Sequence, residues 1–208
     1  MRTLKLTIAY EGTAYVGWQR QPNGSSIQGS LEAALVEIER APVAVVGAGR
    51  TDAGVHAVGQ VASVRLRHQI APEALVRALN ARLSPDIRVV AAEVGPEGFH
   101  ARFDATAKTY RYRLLHGAVI SPFERRYGWY VGEPLDHERM VDVARVLVGE
   151  HDFAAFRATG SSSRSTVRTL FELTVSRAPR DPWSVDGSAG AAVTLIEARG
   201  GGFLRHMV

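Results

Sequence analysis

Cysteine is absent from this 208-residue chain, which excludes disulfides and thiolate metal sites. No run of 18 apolar residues occurs, so no transmembrane helix is encoded. The opening MRTLKLTIAY is broken by Lys5 and Thr7 and reads as a strand, not a cleaved leader; a cytoplasmic protein is expected. Seven histidines are scattered without a zinc-ligating spacing, and no GxGxxG or P-loop is present. Neither a metal nor a nucleotide cofactor is therefore expected. Lysine is nearly missing, with only Lys5 and Lys108, so almost all 25 basic residues are arginines.

What remains is an ordinary globular composition, 46% apolar and 22% charged, at a length that suits one large domain or two small halves. The net charge of +4 and a pI near 9.7 give a modest signal for a polyanionic partner. Arginine strengthens it, because its planar fork suits phosphates and stacked bases. Arg102, Lys108, Arg111 and Arg113 interleave with Phe103, Tyr110 and Tyr112, and Arg157, Arg164, Arg168, Arg177 and Arg180 follow. Such mixing can hold a nucleic-acid backbone and stack an unpaired base. A solvated strand face explains the same pattern, and clustering alone does not decide.

Periodicity supplies the elements. Leu4, Leu6, Ile8 and Tyr10 alternate as a strand. Ser25 and Gln28 suggest a capping box opening a helix whose face carries Ile27, Leu31, Leu35 and Ile38. Val43–Val46 and Gln60–Leu66 read as strands, 72–83 as a helix with Pro72 in its first turn, and Ile87–Val94 as a strand. In the second half, Lys108–Leu115 is a strand with Tyr110, Tyr112 and Leu114 on one face. Asp136 can cap a helix carrying Met140, Val143, Ala144 and Leu147, ended by Gly149. Leu170–Arg177 and Ala191–Ala198 suggest antiparallel strands, and Gly200–Gly202 precede an apolar terminal strand, FLRHMV. The fold class is α+β: two α/β halves, 1–104 and 105–208, around a shared, mainly antiparallel sheet flanked by helices.

Residues 49–57, GRTDAGVHA, place one carboxylate in a glycine-bracketed loop between two apolar segments. Asp52 is the only acid between Gly47 and Gln60, and it lies two residues from Arg50. A nearby cation favours the ionised form, which suits a nucleophile better than a proton donor. The alternative is an Asx turn, in which Asp52 merely bonds its own backbone. Thr51 can orient the loop through its hydroxyl, while Gly49 and Gly54 can supply backbone angles forbidden to larger residues.

Several ordered blocks resemble the tRNA pseudouridine synthase A (TruA) family: AYEGTAYVGWQRQ at 9–21, GAGRTDAGVHAVGQV at 47–61, FHARFDATAKTYRY at 99–112, HDFAAFR at 151–157 and GGFLRHMV at 201–208. The resemblance covers essentially the whole chain. It implies the pseudouridine synthase fold and isomerisation of uridine to pseudouridine in the tRNA anticodon stem-loop (tRNA positions 38–40), with no cofactor and no metal. It makes Asp52 the nucleophile, attacking either the sugar's anomeric carbon or the uracil ring. Arg50 resembles the arginine that fills the space a flipped base vacates and pairs with the catalytic carboxylate. Tyr110 resembles the tyrosine that packs on the uracil and serves as the final base, with Tyr112 as its structural control.

Trp18, Gln19 and Arg20 are expected to border the RNA path, although buried packing is open for Trp18. His56 is expected to steady the loop beside the substrate. Arg157 and the loop around Arg164 are candidates for phosphate contacts. The resemblance also implies a homodimer. The family pattern continues past Val208 with an arginine and a helical segment, so this chain is expected to be a truncated form with one cation missing from its site. Two other readings use the same residues. One is an RNA-binding protein of this fold without catalysis. The other is a glycosidic-bond hydrolase, which needs a second acid such as Glu11, Asp104 or Glu197.

Overall fold

The computed structural model describes residues 1–117, 119–158, 165–178 and 193–208. They form two units, Met1–Ala105 and Thr106–Val208. The first runs β1 (Arg2–Tyr10), α1 (Ile27–Glu39), β2 (Val45–Gly47), β3 (Ala57–Leu66), α2 (Pro72–Asn80) and β4 (Ile87–Val94). Its four-stranded antiparallel sheet has the order β2-β3-β1-β4. Alternation along β1 sends Leu4, Leu6, Ile8 and Tyr10 to the core, where they cluster with Ile27, Leu31 and Leu35 of α1 and Leu75 and Leu79 of α2. Each such aliphatic side chain contributes about 1.5–3 kcal/mol by leaving water. A bulge in the β1–β3 ladder between Ile8 and Tyr10 brings Tyr10 opposite Ala57, at the exit of the Asp52 loop.

The helix boundaries differ from expectation in two places. Ser26, not Ser25, caps α1, its Oγ accepting from Gly29 N–H at 3.2 Å. The expected capping box fails because the Gln28 amide is engaged elsewhere. The second helix stops at Asn80, short of Leu83, because Asn80 turns its amide to β4, donating to Val89 C=O at 2.9 Å and accepting from Val89 N–H at 2.8 Å. Pro85 also disfavours helix just before it. At the other end of α1, Glu39 is buried and accepts from the N–H groups of Arg67 and His68. Burial pushes its carboxyl up, but those hydrogen bonds and the His68 side chain together hold it below the usual carboxylate range.

The second unit runs β5 (Lys108–Leu115), β6 (Trp129–Tyr130), α3 (His137–Leu147), β7 (Gly149–Asp152), a single 3-10 turn (Ala154–Phe156), β8 (Val167–Ala178) and β9 (Val193–Gly200). Its five strands follow the order β6-β5-β9-β8-β7, antiparallel except for β5–β6. Asp136 caps α3 as expected, accepting from Arg139 N–H at 3.0 Å. Gly149, with φ 111°, opens β7 one residue past the C-cap Val148. FLRHMV is not a strand: it turns, with Met207 N–H on Leu204 C=O, and Leu204 and Met207 join Phe153 and Leu170 in this unit's core. The α+β class and the mainly antiparallel pairing hold. Among the described residues no helix is long and apolar enough to cross a membrane.

Candidate active site

Two loops of the first unit, 11–26 after β1 and 48–56 before β3, are joined by two main-chain bonds and one from main chain to side chain. Trp18 N–H donates to Thr51 C=O at 3.0 Å, Gly54 N–H to Tyr15 C=O at 3.3 Å, and Gly12 N–H to His56 Nδ1 at 3.0 Å. Glycine makes this approach possible. A Cβ on Gly12 would lie 2.0 Å from the Val55 carbonyl oxygen, and one on Gly17, whose φ is 113°, 2.5 Å from that of Thr51. Below, Tyr10 Oη and Thr51 Oγ1 are 2.9 Å apart, and Gln60 Nε2 donates to Gly49 C=O at 3.0 Å. Burial pushes the Tyr10 hydroxyl up, only partly offset by Thr51 and Gln60, so it remains a neutral partner for Thr51.

Asp52 is exposed at the head of this pinned loop. Its own carbonyl accepts from Val55 N–H at 3.2 Å, closing a turn in which Gly54 takes φ 78°. That positive φ is the expected use of Gly54; Gly49 does not need it. The turn is thus closed by a main-chain bond.

Around this carboxylate, Arg50 is exposed and its Nε donates to Gln19 Oε1 at 3.1 Å. Arg20 is exposed too, with Nη1 3.2 Å from Glu32 Oε2. His56 accepts from Gly12 N–H, with Glu11 Oε1 at 3.3 Å from the same nitrogen. Trp18, expected either beside the RNA or as buried packing, is only 2% exposed, which corrects the first reading in favour of the second. Its ring lies under the loop against Tyr10, with centroids 6.1 Å apart, where only glycine fits at Gly47. Its apolar ring is held in the core while its backbone N–H anchors Thr51.

Tyr110 and Arg157 belong to the second unit. Tyr110 lies on β5 opposite Ala198, its ring edge-on to Phe203 with centroids 5.1 Å apart. Arg157 is exposed just after the 3-10 turn. Arg164 and Arg180 lie outside the described residues. Of the basic-aromatic cluster, Arg111 pairs across the strands with Glu197 at 2.8 Å. In the first unit, Phe103 stacks on His100 with Arg102 above it.

The three acids that a hydrolase would recruit all have partners: Glu11 with Thr13 and His56, Asp104 with His100 N–H, and Glu197 with Arg111. Among the described residues no group of three His, Asp or Glu could hold a metal ion. Sequence reasoning missed Gln28, which reaches into these loops. Apart from Glu32, one helical turn on, its partners Gln19, Arg20 and Val45 lie eight or more residues away.

Comparison with known proteins agrees with the blocks. The sequence model described as tRNA pseudouridine synthase matches residues 6–104 and 143–208. The chain is 44% identical over 211 residues to a tRNA pseudouridine synthase A of Solibacter usitatus, covering 100% of this chain and 83% of that protein. It is 49% identical over 180 residues to one of Allorhizobium ampelinum, covering 85% and 70%. It is 45% identical over 208 residues to one of Myxococcus xanthus, covering 100% and 74%. Matching over both units and across the Asp52 loop, the chain belongs to the tRNA pseudouridine synthase family.

Proposed function

We propose that this chain isomerises uridine to pseudouridine in the anticodon stem-loop of tRNA, with Asp52 as the nucleophile. The observation that carries the reading is an exposed carboxylate on a loop pinned by main-chain bonds and glycine contacts, in a family whose relatives are named for this activity. A nucleophile needs that combination: access for an extruded nucleoside, and a backbone that does not yield when it arrives.

In the reaction the bond from the sugar's C1′ to N1 breaks and one from C1′ to C5 forms. C5 loses its proton and N1 gains one, so uridine and pseudouridine have the same atoms. Asp52 attacks C1′ or the uracil ring, and the base turns before it rejoins. Arg50 fills the gap left in the stem. Tyr110 packs on the uracil and takes the C5 proton. Thr51 and His56 hold the loop, while Arg20 and Arg157 contact phosphates, which positions the RNA without reading its sequence. The unit Met1–Ala105 carries the nucleophile and Thr106–Val208 carries Tyr110. A tRNA substrate fits a cytoplasmic location.

Incubation with unmodified tRNA is expected to yield pseudouridine in the anticodon stem-loop, with tritium released from uridine labelled at C5. Free uracil would instead identify a hydrolase, and intact uridine bound to the protein a non-catalytic binder. The protein is further proposed to act as a homodimer. Sedimentation at micromolar concentration should then give twice the 22.6 kDa chain mass; a single-chain mass would refute that.

A further inference from the structure

The first unit holds a chain of side-chain amides that ends on Arg50. Gln28 Nε2 donates to Val45 C=O at 2.9 Å and to Glu32 Oε1 at 3.1 Å. Gln28 Oε1 accepts from Gln19 Nε2 at 2.6 Å and from Arg20 N–H at 3.0 Å. Gln19 Oε1 then accepts from Arg50 Nε at 3.1 Å. Its direction is forced. A carbonyl and a carboxylate only accept, so the NH₂ of Gln28 must face Val45 and Glu32. Its oxygen must then face the donors of Gln19 and Arg20, which leaves the Gln19 oxygen for the guanidinium. Reversing either amide sets donor against donor or acceptor against acceptor.

The far end is firm. Glu32 is on α1, where its carboxylate also accepts from Val45 N–H at 3.2 Å and pairs with Arg20. The relay thus ties α1 and β2 to a long, exposed arginine side chain two residues before Asp52. We propose that Gln19 and Gln28 are positioning residues. They hold Arg50 in one orientation at the Asp52 loop, ready to enter the stem when the base leaves. The proposal rests on the uridine-isomerisation reading and adds how the arginine is presented. A neutral amide suits this role, because it orients the guanidinium but is readily exchanged for RNA contacts. A carboxylate at the same place would hold it fast.

The test is single-turnover pseudouridine formation by Gln19→Ala in the wild-type and Arg50→Ala backgrounds, with tRNA affinity measured in parallel. In the wild-type background the rate is expected to fall by about tenfold, the scale of a hydrogen bond to a charged group, with affinity changed by less than about twofold. In the Arg50→Ala background the same substitution should change the rate little, because there is no guanidinium left to orient. An equal loss in both backgrounds, or no loss in the first, overturns the proposal. Should Gln19→Ala fail to fold, Gln19→Met serves: it keeps the side-chain length, removes the acceptor that orients Arg50, and is expected to slow turnover only where Arg50 is present.

A second readout needs no activity. The Arg50 Nε–H resonance, identified by its loss in Arg50→Lys, should exchange with solvent faster in Gln19→Ala and also in Gln28→Ala, although Gln28 does not contact Arg50. Unchanged exchange in both refutes the relay even in a protein that makes pseudouridine. Faster exchange in an inactive protein would locate the failure in the isomerisation reading instead.

Discussion

Replacing Asp52 with asparagine is expected to abolish pseudouridine formation, by on the order of 10⁴-fold or more, while tRNA binding changes by less than about threefold. Loss of a covalent nucleophile removes a whole reaction route, whereas affinity for RNA comes from many cation–phosphate contacts. The substitution is nearly isosteric and keeps the main-chain bond that closes the turn at 52–55, from Val55 N–H to the carbonyl of residue 52. The adjoining contacts of Thr51, with Trp18 N–H and Tyr10, also do not involve the exchanged atoms. Quantifying pseudouridine in tRNA after exhaustive incubation, beside a filter-binding isotherm, decides the matter. Turnover at the wild-type rate would remove Asp52 from the mechanism.

Much of the fold was legible from residues alone, for reasons that differ by element. β1, β4 and β5 were readable to within a residue or two because a half-buried strand alternates with period two, and Leu4, Leu6, Ile8 and Tyr10 do so cleanly. The caps were readable only in part. Asp136 behaves as a lone N-cap should, but at Ser25-Ser26 two hydroxyls compete, and Ser26 caps the helix while Gln28, three residues after Ser25, is committed elsewhere. β6 and β7 are two and four residues long, too short to show a period, and exist because neighbouring strands supply partners.

At the candidate site, Asp52 stood out because a lone acid among glycines is a one-dimensional signal. The fate of Trp18 was not legible. Burial of an aromatic beside a loop depends on what crosses it, here Tyr10 and Gly47, neither of which lies near it in sequence. The same holds for Gln28, whose amide joins residues 19 and 45. Side-chain networks of this kind become visible only when the chain is folded.

The second large effect is expected at Tyr110. Substitution by phenylalanine keeps the ring and its edge contact with Phe203 and removes only the hydroxyl. If that oxygen takes the C5 proton, its loss should slow pseudouridine release by about 10²–10⁴-fold, the usual range for a removed general base. Tyr112→Phe is the matched control. It lies two residues along the same strand, paired with Ile196 where Tyr110 is paired with Ala198, and is 45% exposed, so it has neither a core position nor a proposed catalytic role. Its rate should stay within about twofold of wild type. The comparison separates chemistry from folding, because both changes delete one hydroxyl from β5 and leave its ladder with β9 unaltered. With Tyr110→Phe, C1′–N1 cleavage should persist while proton loss from C5 lags, so an unreleased tritium label should accumulate on enzyme-bound product. Equal rates for the two variants would show that the Tyr110 hydroxyl moves no proton, and the final base would have to be sought elsewhere.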